Sequence, residues 1–312
     1  MENQLFPEMV LYTVCSALEL FAGIIVNGCI AVVLGIEWVR SRKLSSCDTI
    51  ILSLALSRFC LQFAITLDSF VIQLDAEIFG HCVTLGIIAA FWMFSNHASL
   101  CFQACLSVFY FVKIADFTQS LFVRLKLGIS KLVPWLLFSS FLYSLVTAVP
   151  LIMLSYIFSR NLTNNTSNNR AVALCKKKMS TILYLFYTTA SIVPLMLFMA
   201  SSSLLIISLW RHTRRMKQSS NQFSKPSCQA HKAAVKNVVL FLVIYMIYFV
   251  LTANLLFSPS LSDMTWTISL RAIVTATYPF IHSIALILSN TKLKQILGKM
   301  LHSGTVSFVR GI

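Results

Sequence analysis

The sequence predicts an all-α membrane protein: a single bundle of seven transmembrane helices, N-terminus outside the cell and C-terminus in the cytoplasm. Three observations predict it. The 312 residues are 57% hydrophobic and only 11% charged, with a mean hydropathy of +0.80. So few charges cannot cover a soluble surface, and long apolar runs point to bilayer spans. Second, seven such runs, near 10–36, 47–72, 83–111, 130–154, 181–209, 235–257 and 265–288, account for nearly the whole length. Third, the cations are one-sided. Of 25 Lys and Arg, eighteen fall in the segments 37–47, 112–131, 211–236 and the tail, and five fall in 155–180. The basic side is cytoplasmic by the positive-inside rule. The net charge of +15 therefore reads as an orientation signal, and no nucleic-acid partner is expected.

The runs justify themselves in order. The first has no basic region before it. Its first cation, Arg40, lies beyond it, so the run reads as a retained helix and not a signal peptide. Glu19, Gly23 and Asn27 share one face of it at i, i+4 and i+8. Gly23 permits close helix approach, and Asn27 can hydrogen-bond across it. Arg58 lies about ten residues into the second run, roughly 15 Å deep. A cation near the midplane is too costly to face lipid. With Ser53 and Ser57 on an adjoining face, it reads as part of an internal structural or switching network rather than a ligand site.

The third run carries Trp92 and Asn96 at i, i+4, with His97 beside them. Two readings stay open. An aromatic face with one amide suits an uncharged or weakly polar organic ligand. Equally, the Trp anchors at the interface and Asn96 bonds to a neighbouring helix. Phe91, Phe94, Tyr245 and Tyr248 fit the core as well as they fit a site. The run Ser201, Ser202, Ser203 in the fifth span suits packing. The seventh has no Lys, which a retinal-binding pump requires.

The connection 155–180 holds three N-x-S/T sequons, at Asn161, Asn164 and Asn165. They fall on the predicted outside, as glycosylation requires. Asn164 and Asn165 are adjacent, so Asn161 is the preferred acceptor. The nine cysteines show no CxxC pair and no metal spacing, and no cofactor is expected. No HExxH, GxSxG, Walker-type loop or paired-carboxylate site appears, so no enzyme is expected. A transporter repeat is lacking too.

Specific segments go further than topology. Helix 1 gives E-x-x-x-G-x-x-x-N, and helix 2 gives LSLALSR, Leu52 to Arg58. Helix 3 ends in LSVFYFVKIADF, Leu106 to Phe117, and helix 5 in LLIISLWRHTRRM, Leu204 to Met216. Helix 6 opens with HKAAVK, His231 to Lys236. Helix 7 ends in YPFIHSIALILSNTKLKQ, Tyr278 to Gln295. Each motif alone is weak; the six in order, from Glu19 to Gln295, closely resemble the type 2 (bitter) taste receptors among G-protein-coupled receptors. The vomeronasal type 1 receptors are the nearest alternative, and FYFVKIADF and SLWRH favour the bitter family.

The resemblance implies a receptor that binds small bitter organic compounds among the outer halves of its helices and activates a gustducin-type G protein. It implies that Trp92 and Asn96 line the pocket, with Tyr245, Tyr248, Ala272 and Thr275 as further candidates. It places Tyr110, Lys113, His212, Arg215 and His231 at the coupling face. Asn27, Arg58, His282 and Ser283 fall on the switch, and Asn161 on the family's glycosylation site. Two positions depart from the family's pattern: Asp116, where Asn is usual, and Lys225-Pro226-Ser227-Cys228, where Asp-Pro often stands. The bitter family generally lacks the disulfide from helix 3 to the second outer loop, yet Cys82 and Cys175 both lie on the oxidising side and remain a candidate pair.

Overall fold

The computed structural model describes residues 2–73, 82–115, 120–163, 168–219, 225–257, 265–290, 292–296 and 298. Among them lie seven helices and no strand: α1 (Glu2–Ser41), α2 (Ser46–Gln73), α3 (Cys82–Ile114), α4 (Ser120–Thr163), α5 (Asn168–Ser219), α6 (Lys225–Phe257) and α7 (Thr265–Ser289). A helix closes its own backbone hydrogen bonds, which is what an apolar medium demands. Five helices carry apolar stretches of membrane length: Leu20–Ser41, Ser46–Leu67, Val83–Ile114, Phe122–Arg160 and Thr181–Arg211. Shorter apolar stretches occur in α6, at Val238–Asn254, and α7, at Thr277–Ser289.

The helices outrun the apolar runs. The polar connection expected over 155–180 and the basic one over 211–232 are largely helical. α4 continues through Thr163 and α5 starts at Asn168; α5 continues through Ser219 and α6 starts at Lys225. Hydropathy reports membrane thickness, while helix propagation continues through any residue with tolerable propensity. Pro226 stands at the start of α6, where its missing N–H is not needed.

α3 is the central helix. It packs against α2, α4 and α5, while α1 contacts α2 and α7, and α6 lies between α5 and α7. Of its apolar stretch 67% is buried, against 28% for α1 and α4. The outer helices instead turn Leu127, Trp135, Val146 and Phe21 outward. An apolar exterior of this extent suits hydrocarbon, not water.

Local chemistry sets the approaches. Gly86 lets α3 close on α4: a Cβ there would stand 2.1 Å from Ser155 Oγ and 2.2 Å from Ser155 Cβ. Gly23 faces the side chain of Gln62 on α2. After α1, Arg42 takes a left-handed conformation (φ 55°), and its N–H donates to Trp38 O at 2.8 Å. That is a helix stop usually given to Gly. Ser45 then caps α2, its Oγ accepting from Asp48 N at 3.1 Å. The end of the bundle holding this connection is called the basic end below.

Candidate functional site

Two polar constellations stand inside the bundle. The first is centred on Arg58, which is 1% exposed. Its Nη1 donates to Ser283 Oγ at 2.7 Å, its Nη2 to Gln103 Oε1 at 3.2 Å and its Nε to Ser99 Oγ at 3.4 Å. Ser283, having accepted from Arg58, donates its own proton to Asn27 Oδ1 at 2.7 Å. Asn27 Nδ2 donates to Gly23 O at 3.1 Å. Gln103 Nε2 donates to Tyr278 OH. One guanidinium thus ties α1, α2, α3 and α7 together, and among the described residues its partners are all neutral. A buried charge survives on such terms only when its donors are well satisfied.

The second constellation lies towards the opposite end, where α3, α5 and α6 meet. Asn96 is 1% exposed and accepts at Oδ1 from Tyr248 OH at 3.2 Å. The ring of Trp92 meets Tyr187 with centroids 5.6 Å apart, and Tyr187 stacks on His97 at 6.1 Å and on Phe249 at 6.3 Å. Thr147 donates its one hydroxyl proton to Ser144 O at 3.0 Å. His97 Nδ1, 2.8 Å from that hydroxyl, must therefore be the donor between them. His97 Nε2 pairs with Ser191 Oγ at 3.3 Å. The histidine is thereby a fixed wall between α4 and α5. No ionised side chain occurs in α3 over 83–100, in α5 over 181–200 or in α6 over 241–254.

An aromatic column joins the two constellations. Tyr248 stacks on Tyr278 at 4.8 Å, and Tyr245 contacts Tyr248, Tyr278 and Phe198 at 6.4, 5.6 and 5.0 Å. Towards the basic end, a cavity of about 280 Å³ opens between α3, α5, α6 and α7. Tyr110, Ser107, Ser202, Phe241 and His282 contribute to its lining. Cys47 Sγ lies 3.6 Å from Tyr110 OH, and the His282 ring stacks obliquely on Phe241 at 4.6 Å. Lys113 is exposed near the end of α3.

Of the group Asn27, Arg58, His282 and Ser283, the structure joins Arg58 to Asn27 through Ser283, while the His282 ring lies against Phe241 and Tyr278. It places Ser53 and Ser57 differently: each bonds a carbonyl of its own helix, Thr49 O at 3.0 Å and Leu54 O at 2.9 Å. Ser201 and Ser202 both bond Ser107 across α3 and α5, at 2.8 and 2.9 Å. His212, Arg215 and His231 lie on helical backbone in α5 and α6, and Ala272 and Thr275 in α7; their side chains fall outside the described residues. So do the side chains of Cys82, Cys175 and Asn161, while Asp116, Asn164 and Asn165 lie outside entirely. Sequence reasoning missed Gln103, Ser99, Tyr187 and Thr252. Ser99 and Gln103 stand i, i+4 on one face of α3, and Tyr248 and Thr252 i, i+4 on α6, a spacing that could have flagged both pairs; which helix each face meets is visible only in three dimensions.

The fold and interior define an all-α membrane protein whose centre is a buried polar network, with a packed aromatic cluster on one side of it and a cavity at the basic end. A family model described as taste receptor protein (TAS2R) matches residues 5–305. The chain is 36% identical over 293 residues to taste receptor type 2 member 9 of Pongo pygmaeus, covering 93% of each chain. Against taste receptor type 2 member 9 of Homo sapiens it is 35% identical, again covering 93% of each. Against taste receptor type 2 member 7 of Macaca mulatta it is 33% identical, covering 94% of this chain and 92% of that protein. The chain belongs to the taste receptor type 2 family of G-protein-coupled receptors. It is a multi-pass receptor of the plasma membrane, not an enzyme, and the match does not favour the vomeronasal reading.

Proposed function

We propose that this receptor crosses the membrane seven times with its N-terminus outside, and binds small bitter organic compounds in the chamber formed by Trp92, Asn96 and Tyr248. Tyr245, Ala272 and Thr275 belong to the same reading. The observation that carries it is the buried Asn96 amide, tied to α6 through Tyr248, with no ionised side chain in the adjoining stretches of α3, α5 and α6. A chamber of that kind holds a weakly polar organic molecule and orients it by a few hydrogen bonds.

The ligand acts by population shift. It binds the active arrangement better than the inactive one and moves the equilibrium by that difference. The basic ends of α3, α5 and α6 then meet a gustducin-type G protein, with Tyr110, Lys113, His212, Arg215 and His231 at the contact. Asn27, Arg58, His282 and Ser283 form the switch between the two sites. Asn161 carries the glycan on the outer side. A calcium assay with a promiscuous G protein tests the pocket. Trp92→Ala and Asn96→Ala receptors at normal surface density are expected to lose response to agonists of the wild type. Unchanged responses in both refute the assignment.

A further inference from the structure

The cluster around Tyr248 contains more hydrogen-bonding capacity than the protein uses. Asn96 Nδ2, Tyr187 OH and Thr252 Oγ1 are all buried, and none has a partner. Tyr187 and Thr252 are each 0% exposed. They converge: Tyr187, Thr252 and Asn96 all neighbour the Tyr248 hydroxyl, and the Tyr187, Thr252 and Tyr248 hydroxyls lie close enough to interact, but no contact among these three hydroxyls has hydrogen-bond geometry. Turning the Asn96 amide over does not help. Its nitrogen would then face Tyr248, and its oxygen would be the atom left unpaired. Unpaired polar atoms are rare in folded interiors, and each carries its full desolvation cost. Eight such atoms occur among the described residues, and three of them, from three helices, gather around one hydroxyl.

The cluster has a definite chemistry. An amide N–H, a phenol and an alcohol can all donate, and a carbonyl oxygen placed among them, with its two lone pairs, accepts from two of the three at a time. No ionised side chain lies on these stretches, so nothing there balances a charged ligand. Trp92 and Phe249 supply flat apolar walls around Tyr187. We propose that Tyr187 and Thr252, with Asn96, form a donor cluster that selects uncharged agonists bearing a carbonyl-type acceptor, such as a lactone, ketone or amide. This rests on the reading of the chamber as the ligand pocket.

The test uses the full-length receptor in the calcium assay with matched probes: coumarin with naphthalene, and camphor with camphane, each pair alike in shape but differing in the carbonyl. Benzyltrimethylammonium serves as an acceptor-free cation. Activation by a carbonyl member, with its hydrocarbon twin and the cation inactive, is the expected result. Tyr187→Phe and Thr252→Val, which keep shape and delete a hydroxyl, should each lower the potency of that carbonyl probe by roughly three- to tenfold, the range of one neutral hydrogen bond. In purified ligand-free receptor, the same two variants should hold or raise Tm, since they remove groups without partners.

No response to either carbonyl probe, or equal responses within a pair, overturns the proposal. So does a fall in Tm for both variants with potency unchanged, because ordered water then satisfies the cluster. The two levels of the reading separate cleanly. If Trp92→Ala and Asn96→Ala abolish responses while Tyr187→Phe and Thr252→Val leave potency intact, the pocket stands and the donor cluster falls. If all four behave as wild type, the pocket itself is lost.

Discussion

At the scale of single residues, the Ser283 hydroxyl has an effect out of proportion to its size. It accepts from the Arg58 guanidinium and donates to Asn27, so one oxygen joins α2 to α1 from α7. Ser283→Ala deletes both bonds and leaves a buried cation one acceptor short. The expected loss is about 2 kcal/mol, the cost of an unmet charged hydrogen bond. Thermal unfolding of purified receptor measures it. Asn27→Ala breaks only the neutral half of that chain and should cost less. Equal losses would mean that Arg58 finds another partner. Arg58 was legible in the sequence because a cation ten residues into an apolar run is conspicuous. Its partners Ser99 and Gln103 carry no charge to draw attention, and their i, i+4 spacing marks a face of α3 without saying what that face meets.

At the scale of elements, two contacts decide how helices sit. Gly86 permits the α3–α4 approach, and its Cβ would collide with both side-chain atoms of Ser155, which turning the Ser155 hydroxyl away cannot relieve. Gly86→Ala should sharply reduce folded receptor at the cell surface, whereas Gly128→Ala, with nothing within 4 Å of the added carbon, should not. Surface labelling compares the two directly. If both reach the surface alike, the contact is not a constraint.

The second contact follows α7. Lys292 Nζ reaches Glu37 Oε1 of α1 at 2.6 Å and Asp48 Oδ2 of α2 at 2.9 Å, while the adjacent Leu293 is wholly buried in the core of the basic end. The lysine is 42% exposed, so its ion pairs are screened and contribute modestly. Leu293→Ala should therefore cost about 3 kcal/mol and Lys292→Ala clearly less. The pH dependence has a definite sign. Burial disfavours the Lys292 ammonium, but hydrogen bonds and charge from Glu37 and Asp48 outweigh it and raise its pKa. A raised folded value means the contribution is complete below the unfolded value of about 10.4 and is lost only as pH climbs beyond it. The Tm difference between wild type and Lys292→Ala should stay constant from pH 6 to 9. A change within that window would mean that another group titrates there.

At the scale of the whole molecule, a continuous set of contacts runs from the chamber to the far side of the bundle. Asn96 bonds Tyr248, Tyr248 stacks on Tyr278, Tyr278 accepts from Gln103, and Gln103 and Ser283 both accept from Arg58. Contiguity alone is not coupling, which needs an element with two arrangements that both sites bias. Tyr278→Phe keeps the stack and removes the bond to Gln103. If the column transmits, agonist potency should shift by roughly two- to thirtyfold at unchanged surface density. A double-mutant cycle with Gln103→Leu should be non-additive. Additive effects would reduce the column to a structural spine.

Composition and charge placement by themselves determined that this chain is an all-helical membrane protein, and ordered motifs at helix ends determined its family. Both are one-dimensional properties: hydrocarbon selects long apolar helices, and motif order needs no folding to be read. The sequence also showed which polar residues were too costly to leave facing lipid. Only the tertiary structure decided what each one meets. Asn27 turned to α7, Ser53 and Ser57 turned back on their own helix, and Tyr187 and Thr252 came together from α5 and α6 around the hydroxyl of Tyr248. Helix periodicity assigns a side chain to a face, but packing rotates that face against a particular neighbour. A buried polar atom has its partner, or lacks one, only once that rotation is set.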